Sequence, residues 1–566
     1  MFVSGTVAGV FIRLYDRRGR TTTSGIAILF QREARSHQTG LSPCPLIRLE
    51  RSLVLQRIAR TVTGASVLQL GRGDRERNAT AHARRDSARA DIDRNTAIFL
   101  LAITVVVAAA LRLIGANDQL WFDEIATLLD SVRKPLGVIA THFPSDNDHV
   151  FYSELAHISV RLGGETPFTV RLPAILFGIA SIPLIYWVGT KITTRIEALA
   201  SAILATVAAY HIWFSQNARG YTILLVLSLV GTRLILNGLR ARSIKPWLGF
   251  ALVSALAAYT HLSMIMMVVG QAIAVALYLL TSKRATMAEM KGPAIGFIGA
   301  ALLTIILYLP MLGDVATFFH GEATAAKPTA TSGLLHMFSE MQVGLARGTV
   351  AILGAAVFLI GLVSYWRQSS LIPGLFFIPP ALIYLTTVLL ERPTRPRFFF
   401  FIAGFLLLVG VRGVFVIIHF LLDRMGRPLP SYEKPVRWLA VAAMAGVLVA
   451  DLSRTYGKPK MDYEGALAFV DGSRLSDNAI TLAGVGADFV YSQYYHRNWP
   501  ELKSTDQLAS LRRGRDVLVL HTLARSFRQT NPSLFEALKS SCREERIFAG
   551  TLQDGDIIVS RCARQQ

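Results

Sequence analysis

Eleven apolar runs of roughly the length needed to cross a bilayer, about 20 residues, dominate this chain. They lie near 96–115, 168–190, 196–213, 221–239, 246–263, 264–281, 293–312, 348–366, 371–390, 398–422 and 436–451. A backbone immersed in hydrocarbon has to satisfy its N–H and C=O groups within its own segment, so runs of this length can only be helices. A hydrophobic content of 52%, a charged content of 17% and a mean hydropathy of +0.42 leave no room for a soluble globular reading. The chain is expected to be a polytopic α-helical membrane protein.

The stretch 149–163 is shorter and carries Glu154, His157 and Arg161, so it is expected to lie in the interface rather than to span. With it outside the count, Lys191/Arg195, Arg240/Arg242/Lys245, Lys283/Arg284/Lys291, Arg367 and Arg424/Arg427/Lys434/Arg437 all fall on one side, as the positive-inside bias requires. Were it a span, these clusters would move outside while the Arg-rich head stayed in. The formal charge of +21 is thereby explained by topology. The basic residues form no stripe interleaved with aromatics, so no nucleic-acid partner is implied.

Residues 1–95 carry 17 Arg, no Lys and 8 acids without sustained periodicity, which predicts a disordered basic cytoplasmic tail. The apolar runs fall within 96–452. Residues 453–566 change character: 16 basic and 13 acidic residues, short apolar runs such as 516–520 and turn clusters such as Asp471-Gly472-Ser473 predict a small soluble α/β domain on the outer face. Cys542 and Cys562 flank two strand-like runs, 546–552 and 556–560, that read as a hairpin, and an oxidising compartment would allow them to pair.

The residues that carry chemistry collect on the predicted outer face. Trp121-Phe122-Asp123-Glu124 follows the first span, where the aromatic ring settles at the headgroup level and an acidic pair is costly unless used. One carboxylate of such a pair can act on substrate as a general base while the other holds a cation, a hydroxyl or a neighbouring Arg; the plain alternative is that Asp123 caps a helix starting near Ile125. Ser145 to Tyr152 packs Asp146, Asp148 and His149 into a loop. These three could ligate a divalent metal, although their spacing is not diagnostic and a solvated loop explains them as well. The run 211–221 carries Arg219 and Tyr221 between two spans, and Arg171 lies four residues inside its own span. An Arg on the face that should be poor in them suits a lipid phosphate. Arg392, Arg395 and Arg397, stiffened by Pro393 and Pro396, suggest a formed anion site. Arg347 reads only as a headgroup contact, and His261, ending a span after Tyr259-Thr260, reads first as a packed interfacial residue.

In order along the chain, Trp121-x-Asp123-Glu124, the His149 segment, Arg171-Leu172-Pro173-Ala174-x-x-Phe177-Gly178, Ser215-Gln216-x-Ala218-Arg219-x-Tyr221, Tyr259-Thr260-His261, Arg397-Phe398 and Lys460-Met461-Asp462-Tyr463 resemble the GT-C superfamily of membrane glycosyltransferases. Within it the likeness is to the bacterial branch of protein O-mannosyltransferases and the lipid A aminoarabinose transferase. The resemblance covers about 96–566 and departs from the family pattern at His149-Val150-Phe151.

It implies a GT-C-like catalytic membrane domain and an inverting transfer of a sugar from a polyprenyl-phosphate donor to a lipid, cell-envelope glycan or protein. The reaction would run on the periplasmic or extracellular face of the inner (plasma) membrane. Asp123 would be the catalytic base with Glu124 in support, and Arg171, Arg219, Arg397 and Arg395 would hold the donor phosphate. His149, Tyr152, Tyr221 and His261 would contact substrate. No cofactor is assigned with certainty, and a divalent metal on Asp146, Asp148 and His149 is optional.

Two alternatives remain. A transporter or flippase of lipids or other anionic substrates predicts charges and helix breaks in the middle of spans, whereas here the notable charges sit at one face. An oligosaccharide ligase would use a pyrophosphate-linked donor and a long late external loop, and 313–347 is modest.

Overall fold

The computed structural model describes residues 91–565 apart from 144–147, 242, 283, 323–348, 391–394, 427–428, 474, 476–478 and 553. Most of the predicted tail, Asp146, Arg347 and Arg392 therefore lie outside the described residues. The first helix, Arg94–Leu113, starts one residue before the predicted tail ends, because the Asp93 side chain caps it by accepting from the Thr96 N–H.

Each of the eleven apolar runs is largely helical where described, with a break at Ala208 in one and a helix end at Thr260 in another. Among the described residues, eight helices are long and apolar enough to cross a membrane, and a ninth crossing is made if the bent pair Arg195–Val207 and Ala209–Ser215 counts as one. Ile352–Gln368 and Lys245–Thr260 are shorter. The stretch expected in the interface is the 14-residue helix Val150–Gly163. Helix starts follow the local chemistry: Thr166 caps Pro167–Ile192, whose first position is proline, and Thr194 caps Arg195–Val207.

The 65° bend between Arg195–Val207 and Ala209–Ser215 leaves carbonyls without intrahelical partners. Arg112, fully buried at the end of the first span, fills that gap. It donates to the Ala205 carbonyl at 3.2 Å, the Thr206 carbonyl at 3.3 Å and the Ser215 hydroxyl at 3.1 Å, and bonds His211 Nδ1 at 2.8 Å. Further along the same bent element, Glu197 pairs with Arg412 at 2.9 Å and Arg412 donates to Ser364 at 3.0 Å, joining three helices through one buried ion pair. The helices bearing Gly361 and Gly413 cross so closely that a β-carbon on either would strike a backbone carbonyl of the other.

The last hundred residues fold as a five-stranded mixed sheet with flanking helices. Strands β1 (Ile480–Ala483), β2 (Glu501–Leu502), β3 (Val517–Thr522), β4 (Arg543–Phe548) and β5 (Ile557–Cys562) lie in the order β2-β1-β3-β5-β4. The β2-β1 and β1-β3 pairs are parallel, and the β3-β5 and β5-β4 pairs antiparallel. The expected hairpin is β4-β5, and Cys542 and Cys562 are joined by a disulfide. β1 and β3 are buried along their whole length, as the near-continuous apolar runs of parallel strands require.

This unit docks on the loop after the first span. Gln119 Nε2 donates to Asp462 Oδ1 at 2.9 Å, the Glu464 N–H donates to Gln119 Oε1 at 3.0 Å, and the Phe122 and Phe489 rings meet edge to face at 5.9 Å.

Candidate active site

Asp123 and Glu124 fall in the first turn of the short helix Phe122–Thr127, where a helix N-terminus favours negative charge. Successive residues on a helix point about a quarter-turn apart, and the two carboxylates meet different partners.

Glu124 is wholly buried. It accepts from Arg171 Nε at 2.8 Å and Nη2 at 2.6 Å, and from the Ala218 N–H at 2.7 Å, with Lys460 Nζ at 3.4 Å. Burial alone would raise its pKa, but the Arg171 and Lys460 charges and these hydrogen bonds hold the carboxyl down at about 2. One carboxylate thus ties together the external loop, the start of the second span, the turn at 216–218 and the lead into the sheet unit.

Arg171 spends its remaining donors on the carbonyls of Ala116 at 3.1 Å, Asp118 at 2.7 Å and Gln119 at 3.0 Å. The structure brings it to Glu124 and the loop backbone rather than to Asp123. Lys460, whose ammonium sits 5.0 Å from the Trp213 ring centroid, is pushed down to about 7 by burial, with Glu124 pulling the other way. Trp121 Nε1 donates to Asn217 Oδ1 at 3.1 Å, a second clip between the same segments.

Asp123 keeps 13% of its side chain exposed and turns to the guanidinium groups. Its Oδ2 lies 2.7 Å from Arg397 Nη1 and 3.9 Å from Arg219 Nη1. Arg397 opens the 3-10 turn Pro396–Ile402, which sets its direction; Arg395, just before that turn, is exposed. Arg219 is almost completely buried and also donates to Thr127 Oγ1 at 3.4 Å.

Beside these groups, the His149 ring packs against Tyr221 at 4.8 Å and His261 at 4.9 Å between centroids. Both ring nitrogens of His149 and the Tyr221 hydroxyl are buried without a hydrogen-bond partner among the described residues, polar capacity that a bound ligand can use. Burial first, and then the Arg219 and Arg397 charges, hold His149 well below its usual range. Burial, Arg219 and Arg397 bring His261 down to about 3. Both rings are therefore neutral and can donate and accept at once.

Tyr152 and Asp148 serve the scaffold. The Tyr152 hydroxyl donates to the Val170 carbonyl at 2.6 Å. Asp148 Oδ1 accepts from the His149 N–H at 2.8 Å, Ser131 at 3.2 Å and Ser153 at 3.4 Å, bracing the start of helix Val150–Gly163. Among the described residues, no three His, Cys, Asp or Glu side chains converge as a metal site would need.

Arg112, a charge in the last turn of an apolar span, and Lys460, in the approach to the sheet unit, carry no sign in the sequence of the partners they meet.

Residues 150–313 match the family described as dolichyl-phosphate-mannose-protein mannosyltransferase. That match bears out the resemblance to the GT-C glycosyltransferases, and the helical membrane architecture with a small terminal sheet unit agrees with the expected fold class. No curated protein matches the chain. Among solved structures, it is similar to ArnT from Cupriavidus metallidurans bound to undecaprenyl phosphate, with 12% identity, a TM-score of 0.47, 84% of this chain covered and 100% of that one. It is also similar to the Archaeoglobus fulgidus oligosaccharyltransferase tethered to an acceptor peptide, with 10% identity, a TM-score of 0.47, and 84% and 74% covered.

Proposed function

We propose, taking as premise the match of residues 150–313 to the mannosyltransferase family, that this multi-pass membrane protein is an inverting glycosyltransferase. It takes a sugar from a polyprenyl-phosphate donor and gives it to a hydroxyl-bearing or amine-bearing acceptor at the end of the bundle that carries the sheet unit. The observation that carries this reading is the Asp123 carboxylate held 2.7 Å from Arg397 and 3.9 Å from Arg219, beside two neutral imidazoles. The bias of basic loops toward the opposite end supports a periplasmic or extracellular site in the plasma membrane, and the disulfide fits an oxidising compartment.

In the reaction, the acceptor oxygen or nitrogen attacks the anomeric carbon from the face opposite the phosphate. The new bond to carbon forms as the carbon–oxygen bond to phosphate breaks. The electron pair leaves with the lipid phosphate, and the acceptor proton passes to Asp123. Arg397 and Arg219 meet the charge that develops on the departing phosphate. At rest, Arg397 is bound to the base itself. An arriving phosphate competes for that guanidinium and frees the Asp123 oxygen, so the base is released only when the donor is seated.

Arg171 and Glu124 hold the turn of helix that aims Asp123. His149 and Tyr221 offer unfilled hydrogen-bonding capacity to sugar hydroxyls, and His261, whose Nδ1 is met by Ser263 at 2.8 Å, packs beside them. Arg395 stands further out as a headgroup contact.

The test is to incubate purified protein with a panel of polyprenyl-phosphate sugars and measure release of lipid phosphate. Release by wild type with at least one donor, and a loss of about 10²–10⁴-fold in turnover for Asp123→Asn, is the expected result. Absence of release with every donor, alongside substrate-dependent flux in proteoliposomes, would move the assignment to transport.

A further inference from the structure

The sheet unit has a crevice at the carboxyl ends of two parallel strands. From β1 the chain passes to β2 on one side, and from β3 it passes through two helices to β4 and β5 on the other. Neighbouring parallel strands whose connections leave in opposite directions open a crevice beyond their carboxyl ends, the usual ligand position in open α/β sheets. Both exits turn sharply here. Gly484 after β1 has φ +78°, and Leu523 after β3 has φ +52°, a left-handed conformation that a side-chain-bearing residue seldom adopts and that clusters at binding sites.

A cavity of about 240 Å³ lies at this point, lined by Gly486, Thr522, Leu523, Ser526, Phe527 and Thr530 together with Phe122. Phe122 comes from the membrane domain and immediately precedes Asp123. The crevice of the sheet unit is thus closed by the turn of helix that carries the proposed base. A second tie runs underneath: Tyr463, fully buried, donates its hydroxyl to the Gly486 carbonyl at 3.1 Å, and the Asp123 charge acts on its phenol.

We propose that this cleft is the acceptor subsite, and that its occupant is the neutral, hydroxyl-rich ring of an acceptor sugar. The inference rests on the glycosyltransferase reading above and names the substrate class for it. Two phenyl rings, Phe122 and Phe527, offer apolar faces to the C–H side of a sugar ring, while Thr522, Ser526 and Thr530 offer hydroxyls to its edge. The lining residues carry no charge, which disfavours an ionic headgroup. Thr522 already donates to the Asp556 carbonyl at 2.9 Å and so presents its oxygen as an acceptor. Ser526 and Thr530 are exposed at the mouth; the Thr530 hydroxyl donates to the Ser526 carbonyl at 3.1 Å and so presents its oxygen as a second acceptor. A sugar seated here would extend a hydroxyl past Phe122 toward Asp123, where the proton is taken as the oxygen bonds to the anomeric carbon and the lipid phosphate departs with its electron pair.

The test uses the full chain in nanodiscs with the methyl glycosides of glucose, mannose, galactose and arabinose as probes, followed by saturation-transfer difference NMR. Ser526→Trp fills the cleft, and the double substitution Ser526→Ala/Thr530→Val removes two hydroxyls with little change in volume. Thermal unfolding checks that each variant is folded. At least one glycoside is expected to bind wild type and Asp123→Asn alike, to lose its signal in Ser526→Trp, and to bind about tenfold more weakly to the double variant.

Absence of binding by every glycoside to wild type overturns the cleft assignment, as does undiminished binding in the double variant. If lipid phosphate is released while the cleft fails, the transfer reading stands without this subsite. Glycoside binding that obeys the two variants, with no donor ever cleaved, upholds the sugar site and overturns the transfer reading.

Discussion

Asp123 and Glu124 are neighbours in sequence and belong to different charge networks: Asp123 lies 2.7 Å from Arg397, Glu124 2.6 Å from Arg171. The first pair is partly open and the second fully closed. A quarter-turn of one short helix thereby separates a group that can exchange partners during a reaction from one that cannot without loss of structure.

Arg397→Ala removes the closest cation to Asp123. Turnover is expected to fall by about 10²–10³-fold, as for loss of one donor that stabilises developing negative charge. The donor KM should rise as well, and Arg397→Lys should recover part of both. Steady-state release of lipid phosphate over a range of donor concentrations reads the two effects separately.

Glu124→Gln leaves Arg171 and Lys460 buried without their counter-charge. Breaking a buried pair from one side costs about 3–5 kcal/mol, so a large fall in unfolding midpoint is expected even without substrate. Replacing Glu124 and Arg171 together by Gln and Met should recover part of that loss, a coupling that a double-mutant cycle measures.

The same carboxyl makes stability depend on pH. Its folded pKa, about 2, lies below its ordinary value of 4.5, so between these values the unfolded chain binds more protons than the native one. The contribution is fully present above about pH 4.5 and is lost as pH falls toward 2, amounting to about 3 kcal/mol. Unfolding midpoints between pH 6 and pH 3, which lie in or near that window, should drop more steeply for wild type than for Glu124→Gln. Parallel slopes would contradict the assignment.

The Cys542–Cys562 bond closes a loop with a sequence separation of 20. Replacing both cysteines by Ser should destabilise the sheet unit by about 3 kcal/mol on the loop-entropy account. Hydrogen exchange should rise first in β4 and β5, while the helices around Glu124 keep their protection.

Much of this was legible in the chain because a bilayer imposes its own periodicity and charge asymmetry. The eleven runs, the short helix at 150–163 and the β4-β5 hairpin follow from apolar length, from charges within a short run and from strand-like flanks to two cysteines. The grouping of Asp123, Arg219, Arg397, His149 and His261 at one end follows from placing each at the same face. What the sequence does not disclose is which cation meets which acid. Arg171 and Arg219 look alike by type and location, yet 47 residues separate Arg171 from Glu124 and 274 separate Arg397 from Asp123. Only the folded turn decides between them. Arg112 likewise gives no sign that a bend nearly a hundred residues later will need its donors.

Lys460 reaches back from the sheet unit to Glu124 and the Gln216 carbonyl. A chain cut in the connection after helix Leu429–Tyr456 would therefore not yield two independent modules. The membrane half would lose an ammonium that faces its buried Glu124 carboxylate, and the released half would carry away a lysine shaped for a burial it no longer has. Reassembly of the two fragments, rather than the folding of either alone, is the behaviour such an interlock demands.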